Sequence, residues 1–134
     1  MRYLVLSDIH SNIEAMEASV QKAKDAGFDR VLCCGDLVGY GPNPAEVMDL
    51  LEELDAVTIR GNHDRVISGL DEPTHFNVAA RQAVDWTRAH LPQSYLTRLA
   101  ELTVGPLVAR TDAETRFGRE ERCHFAARQR LAVD

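Results

Sequence analysis

The chain has 134 residues, of which 45% are hydrophobic and 27% charged, a composition typical of one soluble globular domain. No apolar run approaches the roughly 20 residues that a membrane-spanning helix needs, and the formal net charge of −6 argues against an extended nucleic-acid surface. Three cysteines, two of them adjacent, indicate small buried side chains rather than a disulfide framework or a zinc site. The strand-like start MRYLVLS lacks the features of a secretory signal, so we expect a cytoplasmic protein without a membrane partner.

The first 60 residues alternate between short apolar runs and helical patterns. Strand-like runs cover residues 4–6, 31–33 and 56–60. Between the first two runs, apolar residues recur at helical spacing over 13–23, and Gly27 follows where a helix needs a left-handed C-terminal cap. With a second helix before the third run, this order predicts a β-α-β-α-β core of parallel strands joined by right-handed crossovers.

The second crossover helix has clear start signals. Asn43 can cap it, Pro44 fits its first turn, and Glu46 can reach back toward the cap. Beyond the third strand, two further helical segments are predicted, one capped by Asn77 and one opened by Leu91-Pro92. From about residue 105 the sequence is arginine-rich without a clear apolar period. We therefore interpret 1–134 as a single domain in which 105–134 form an atypical C-terminal tail.

A polar cluster begins within two residues of the end of each strand-like run. The clusters are Asp8-Ile9-His10, Gly35-Asp36 and Gly61-Asn62-His63-Asp64. Asp8 lies 28 positions before Asp36, and Asp36 lies 27 positions before His63, so each interval holds about one helix and one strand. Because functional loops of parallel α/β sheets gather at the strand carboxyl ends, we expect the three clusters to form one site.

The residue types in these clusters suit a pair of divalent ions. Two such ions about 3.5 to 4 Å apart need a bridging carboxylate together with oxygen and imidazole ligands. Asp36 is the natural bridge, while Asp8 and His10 can reach one ion. The amide oxygen of Asn62 can reach the other ion, which leaves His63 for proton transfer.

Two other interpretations of the clusters are less consistent with the sequence. A single Asp at a strand end is more often a turn or cap residue than a ligand, and it is the joint spacing that favours one metal site. A hydrolase that forms an aspartyl phosphate would need a second Asp where His10 stands, which makes that class unsuitable. His75 and His90 lie in loop and helix surroundings, where exposed or capping histidines are commoner than ligands.

Three longer segments carry a family resemblance. SDIHSN, CGDLVGYGPNP and RGNHD resemble the first three motifs of the calcineurin-like metallophosphoesterase superfamily, and the wider context of residues 1–104 is similar to a bacterial branch of small phosphoesterases. The resemblance implies the N-terminal part of a four-layer α-β-β-α sandwich. It also implies a two-metal centre, filled most often by Mn²⁺ and in other cases by Fe, Zn, Ni or Mg, that hydrolyses small phosphomonoesters or phosphodiesters.

The resemblance also implies roles for individual residues. Asp8, His10 and Asp36 match the ligands of one ion. Asp36 and Asn62 match ligands of the other. His63 matches the residue that protonates the leaving group or stabilises the transition state while metal-held hydroxide attacks phosphorus in line.

The sequence allows two roles for each of two residues beside the motifs. Arg60, with Asn62, can face phosphate oxygens, but a strand-end arginine can equally pair with a nearby acid. Tyr40, in a Gly-Tyr-Gly turn, either borders the substrate or packs.

The sequence departs from the family pattern in two ways. Many relatives have an acid where this chain has Gly39, so Asp64 or a backbone carbonyl would have to orient His63. The later histidines that complete the two metal shells in the family are missing after Asp64, and His124 lacks their Gly-His-x-His context. One ion site is therefore nearly complete and the second is weak.

Two functional hypotheses follow. The first is a metal-dependent phosphoesterase, with a homo-oligomer partner covering the sheet face that half a sandwich leaves open. The second is a truncated or frame-shifted relative that has lost catalysis and acts as a metal- or phosphate-binding module.

Overall fold

A computed structural model describes residues 1–110 and 122–125. Its centre is a parallel three-stranded sheet in the order β1 (Tyr3–Leu6), β2 (Arg30–Cys33) and β3 (Val57–Thr58). Leu6 pairs with Cys33, and Cys33 pairs with Thr58, so the three strands end level with one another. The predicted β-α-β-α-β core is thereby confirmed, and the three polar clusters begin at one edge of the sheet.

The first crossover helix, α1 (Ile13–Ala26), ends where the sequence predicts. Asn12 caps its start by accepting a hydrogen bond from the Ala15 amide at 3.0 Å. Gly27 ends it with φ of 75°, and its N–H donates to the Ala23 and Lys24 carbonyls. Met16 lies on the buried face, which packs toward the sheet core.

The second crossover helix, α2 (Pro44–Glu53), begins at the predicted cap but without the predicted capping bond. Asn43 stands at the N-cap, yet its side chain accepts no hydrogen bond from the helix. Its Nδ2 lies 3.5 Å from Glu46 Oε1 instead, so Glu46 reaches the cap side chain rather than its backbone. Pro44 in the first turn needs no amide partner, which lowers the cost of this weak cap.

Three more helices follow β3. The short α3 (Asn62–Ile67) begins inside the third polar cluster, which the sequence predicts only as a loop. Helix α4 (Val78–His90) has the predicted Asn77 cap, whose Oδ1 accepts from the Ala80 amide at 2.9 Å, and α5 (Gln93–Glu101) follows Pro92 as predicted. Among the described helices, none is long and apolar enough to cross a membrane.

Regular structure also occurs in the region from residue 105 onward, whose sequence has no clear apolar period. Strands β4 (Leu107–Arg110) and β5 (Arg122–Phe125) pair antiparallel in a separate two-stranded sheet. His124 pairs with Val108 through the backbone. The predictions for the rest of the tail concern residues 111–121 and 126–134, which lie outside the described residues.

The two faces of the parallel sheet differ in burial. Cys33 points into the main core with α1 and α2 and is fully buried, and burial raises the pKa of its thiol to about 12, as expected for an inert cysteine. On the opposite face Leu32 and Ile59 are buried, but Tyr3 is only half-buried and Val5 is 57% exposed. Within the described residues, this second face is thus incompletely covered, as the sequence predicts; its covering by a second copy remains a prediction.

Candidate active site

The first two polar clusters are joined by backbone hydrogen bonds beyond the ends of β1 and β2. The Asp8 N–H donates to the Gly35 carbonyl at 3.1 Å, and the His10 N–H donates to the Asp36 carbonyl at 3.0 Å. The next amide along, that of Ser11, donates to the Leu37 carbonyl at 2.9 Å. The parallel pairing of the strands therefore continues into the loops and fixes the two clusters side by side.

Asp8, His10 and Asp36 come together as the sequence predicts. Each offers one ligand atom, and these atoms all lie within 4.8 Å of one another. His10 Nδ1 lies 3.2 Å from the Val38 carbonyl oxygen, and Nε2 lies 3.9 Å from Asp8 Oδ1. A backbone carbonyl at Nδ1 fixes the ring so that Nε2 is the atom offered to a metal.

All three of these residues have left-handed backbone conformations. φ is 53° at Asp8, 50° at His10 and 55° at Asp36. A non-glycine residue in this region costs on the order of 1–3 kcal/mol and occurs mainly where the surroundings enforce it, often at functional sites. The left-handed conformation is therefore found at the ligand candidates themselves and not only at the neighbouring Gly35, where φ is 94°.

Asp36 links the second and third clusters. Its Oδ1 accepts the His63 backbone N–H at 2.9 Å, at the start of α3. Burial raises the pKa of Asp36, and this effect is opposed by the His63 N–H and by the nearby His10. A positive ion beside Asp36 would lower the pKa of this residue, opposite to the effect of burial, because it favours the charged carboxylate.

Glycines at two positions let the loops come this close. A Cβ on Gly61 would collide with the Asp36 backbone nitrogen and with its carboxylate. A Cβ on Gly35, where φ is 94°, would lie 2.6 Å from the Gly61 nitrogen. The contact between the loops therefore requires glycine at positions 35 and 61.

Asp64 is fully buried beneath the site and accepts four backbone hydrogen bonds. Its Oδ1 accepts from the Leu37 and Val38 amides at 2.9 and 3.2 Å, and its Oδ2 accepts from the Asp36 and Gly61 amides at 2.8 and 2.9 Å. Burial raises the pKa of Asp64 to about 7, against the lowering effect of the backbone donors. The idea that Asp64 orients His63 is thus wrong, because its oxygens are engaged by loop backbone.

His63 lies between aromatic rings rather than on a carboxylate. Its ring centroid is 4.8 Å from that of His10, 4.9 Å from that of Tyr40 and 4.5 Å from that of Phe76. Within the described residues its buried Nδ1 has no hydrogen-bond partner. Burial lowers the pKa of His63 to about 4, with His10 as the next cause, so the ring is neutral near pH 7.

We expect His63 to reduce the stability of the metal-free chain as the pH falls. Between pH 6.5 and about 4 the unfolded chain binds a proton at this residue and the folded chain does not, so the unfolding free energy decreases. The residue is only 7% exposed, and the contribution of His63 to the unfolding free energy falls by about 1–2 kcal/mol from pH 7 to pH 5.

Urea unfolding at both pH values in EDTA measures this effect. The change in unfolding free energy from pH 7 to pH 5 should be more favourable in His63→Gln than in wild type by about 1–2 kcal/mol. His75→Gln, at an exposed position, should behave as wild type. Equal pH dependence of wild type and His63→Gln would contradict the assignment.

Gly39 occupies the position next to the unpaired ring nitrogen. Its φ is 98°, and a Cβ there would lie 2.9 Å from His63 Nδ1. Gly39→Ala should therefore displace the His63 ring, in addition to about 1 kcal/mol of backbone strain.

Gly69→Ala is the matched control, because φ at Gly69 is 80° and no atom lies within 4 Å of the added Cβ. Both variants should be destabilised by backbone strain, and the His63 ring signals in NMR spectra should shift only for Gly39→Ala. Unchanged His63 signals in Gly39→Ala would show that the added methyl group does not move the ring.

The other two predicted site residues, Asn62 and Arg60, differ in their surroundings. Asn62 is the first residue of α3, next to His63, and is half-buried. The Arg60 guanidinium donates from Nη1 to the Ala100 carbonyl at 2.5 Å, at the last turn of α5. Arg60 thus has a structural partner, neither the phosphate nor the acid considered for it, and its role with substrate stays a prediction.

Two aromatic residues complete the surroundings of the site. Tyr40 lies with its ring centroid 5.0 Å from that of His10, with φ of 62° and 52% exposure. The sequence leaves Tyr40 open between substrate and packing roles and gives Phe76 none. The Gly-Tyr-Gly turn is the signal for Tyr40, since a bulky residue between two glycines indicates an unusual backbone with a presented side chain.

A parallel α/β core with two carboxylates and an imidazole at its strand carboxyl ends is the framework of a metal-binding phosphoester hydrolase. The family model of calcineurin-like phosphoesterases matches residues 1–112, and the chain belongs to that family. The match extends past the predicted limit of residue 104, to just beyond β4.

Similar proteins agree with this assignment. An uncharacterized protein of Methanocaldococcus jannaschii is 38% identical over 98 residues, which cover 73% of this chain and 40% of that protein. A metallophosphoesterase crystal structure from Sphaerobacter thermophilus superposes with a TM-score of 0.64 at 36% identity, over 83% of this chain and 43% of that one. A provisionally named diadenosine tetraphosphatase gives a TM-score of 0.59 at 26% identity, over 75% and 42% of the two chains.

A hypothetical protein from Pyrococcus horikoshii shares the fold, with a TM-score of 0.68 at 21% identity. The match covers 81% of this chain and 50% of that protein. The chain therefore spans about half or less of the length of the relatives it matches. The fold seen here is the N-terminal part of a metallophosphoesterase fold.

Proposed function

We propose that this chain carries a metal-dependent site for the hydrolysis of small phosphoesters. The observation that carries the proposal is the convergence of Asp8, His10 and Asp36, whose ligand atoms lie within 4.8 Å of one another. Family membership supports the same reaction class.

The donor set fits one divalent ion. Two carboxylates and one imidazole suit Mn²⁺, Fe²⁺ or Zn²⁺, and we propose Mn²⁺ as the natural occupant. Asp8, His10 and Asp36 would hold this ion, with the ring orientation of His10 already set by the Val38 carbonyl. When bound, such an ion supplies a water of lowered pKa and neutralises charge on the phosphoryl group.

The chain's own residues would act on the leaving-group side. The neutral His63 ring can hold a proton on one nitrogen and donate it as a hydrogen bond to an ester oxygen. Asn62, adjacent to His63, can offer its amide oxygen to a second ion and its amide nitrogen to phosphate. Arg60 would need to leave the Ala100 carbonyl to contact substrate, which makes it the weakest member of this set.

The alternative function is a metal- or phosphate-binding module without turnover. It is favoured by the ligand count, because Asp8, His10 and Asp36 form the only group of three or more such side chains found within the described part of the chain. The second ion would have Asp36 and Asn62 from these residues, too few for tight binding by themselves.

Hydrolysis of bis-p-nitrophenyl phosphate and p-nitrophenyl phosphate with and without Mn²⁺ distinguishes the two functions. We expect Mn²⁺-dependent release of p-nitrophenol that EDTA abolishes and that His63→Ala reduces. Metal content per chain gives a second readout. One ion or none together with no turnover would favour the module, and turnover that His63→Ala and Asp36→Asn both leave unchanged would refute the proposed site.

A further inference from the structure

A groove of about 450 Å³ lies next to the candidate metal site. It is lined by uncharged residues, among them Tyr40, Pro42, Ala79, Gln82, Ala83 and Trp86. Tyr40 comes from the loop after β2 and Trp86 from α4, so the groove lies between the site loop and a helix surface. Its size is within the range of small-molecule sites.

Tyr40 connects the groove to the site. Its ring contacts the rings of His10 and His63, with centroid distances of 5.0 and 4.9 Å, and the same side chain lines the groove. A molecule whose phosphate lies at Asp8, His10 and Asp36 can therefore extend its organic part past Tyr40 into the groove.

Trp86 presents a fixed aromatic surface there. Its indole stacks on the His90 ring with centroids 4.1 Å apart and an interplanar angle of 17°, yet it remains 41% exposed. A ring held in this way loses little conformational entropy when a second aromatic group packs against it. Two large aromatic side chains exposed on one groove beside a reaction centre are the usual composition of a recognition surface.

From this arrangement we infer that the groove binds a planar aromatic group attached to the phosphoester, such as a nucleobase or an aryl ring. The inference rests on the proposed function for its link to the phosphate. Because the lining carries no charge among the described residues, it suits a neutral ring better than an ionic group. Gln82 is exposed on the groove and has an amide that can hydrogen-bond to the edge of a base.

Trp86 is the single tryptophan of the chain, so its fluorescence reports on this groove directly. The whole chain in EDTA is titrated with adenosine, benzyl alcohol and ribose, none of which contains phosphate. We expect a saturable change with an aromatic compound and none with ribose. Saturation by adenosine alone would show that the groove binds a nucleobase. Saturation by benzyl alcohol alone would show that it binds a simple aryl group.

Tyr40→Leu should weaken this binding roughly fivefold or more, the lower end of the effect of removing one stacking aromatic side chain. Tyr40→Asn provides a second variant, because Asn tolerates the left-handed backbone at this position. Tyr3→Leu, on the far strand β1, is the matched control. No saturable response, an equal response to ribose, or equal weakening by the Tyr40 and Tyr3 variants would overturn the inference.

The titration uses neither metal nor turnover, so its failure would leave the proposed function standing, and loss of that function would not affect its outcome. With Mn²⁺ present, the ratio of kcat/KM for phenyl phosphate to that for glycerol phosphate provides the link to catalysis. Trp86→Leu should lower this ratio severalfold, and an unchanged ratio would overturn the link between groove and substrate.

Discussion

Asp36→Asn is expected to reduce Mn²⁺-dependent phosphoester hydrolysis on the order of 10²-fold or more. The substitution removes the negative charge at the meeting point of the three clusters, where a ligand atom of Asp36 lies within 4.8 Å of those of Asp8 and His10. Asn keeps a side-chain oxygen that can accept a hydrogen bond from the His63 backbone N–H, which lies 2.9 Å from Asp36 Oδ1 in wild type. The start of α3 should therefore be preserved. Bis-p-nitrophenyl phosphate hydrolysis, bound Mn²⁺ per chain and thermal unfolding are measured on the same samples.

Asp55→Asn is the matched control for this variant. Asp55 also has a left-handed backbone, with φ of 49°, but it is exposed in the turn between α2 and β3. Its replacement should leave hydrolysis and metal content as in wild type. If Asp36→Asn kept both metal content and turnover, Asp36 would not be a ligand, and the proposed bridge between two ions would be wrong.

Much of the fold follows from local signals in the sequence. Gly27 ends α1 with a left-handed φ, Asn77 caps α4, and Pro44 lies in the first turn of α2, all at the predicted positions. These signals work because each depends on a few neighbouring residues. The edge at which the clusters meet was predictable for a related reason, since parallel strands with right-handed crossovers bring their carboxyl ends to one side.

The features that the sequence did not reveal depend on contacts between distant segments. Positive φ at Asp8 and His10 is enforced by backbone pairing with the loop after β2, which no local propensity reports. Arg60 illustrates the same point, because its partner Ala100 is 40 residues away. The position of Asp64 next to His63 in the motif is compatible with two roles, orienting His63 and accepting backbone hydrogen bonds from the loops. Only the contacts in the structure distinguish them.

Asp64→Ala is expected to lower the free energy of unfolding by about 3–5 kcal/mol. The change leaves four backbone amides, those of Asp36, Leu37, Val38 and Gly61, without their acceptor beneath the site. Each buried, unsatisfied donor costs about 1–3 kcal/mol before water enters the space, so the sum is a large part of the stability of a small domain. Urea unfolding monitored by circular dichroism measures the loss.

Two further variants separate this role from a general effect of removing charge. Asp64→Asn keeps one acceptor oxygen for two of the four donors and should lose about half as much stability as Asp64→Ala. Asp71→Ala removes an exposed carboxylate that pairs with Arg65 at 3.2 Å and should change stability by less than about 1 kcal/mol. Because Asp64 holds the loop of Asp36 to the turn that begins α3, both Asp64 variants should also weaken Mn²⁺ binding. Stability of Asp64→Ala equal to that of Asp71→Ala would show that water or other groups replace the carboxylate, and that the two loops are held together mainly by the glycine contacts at 35 and 61.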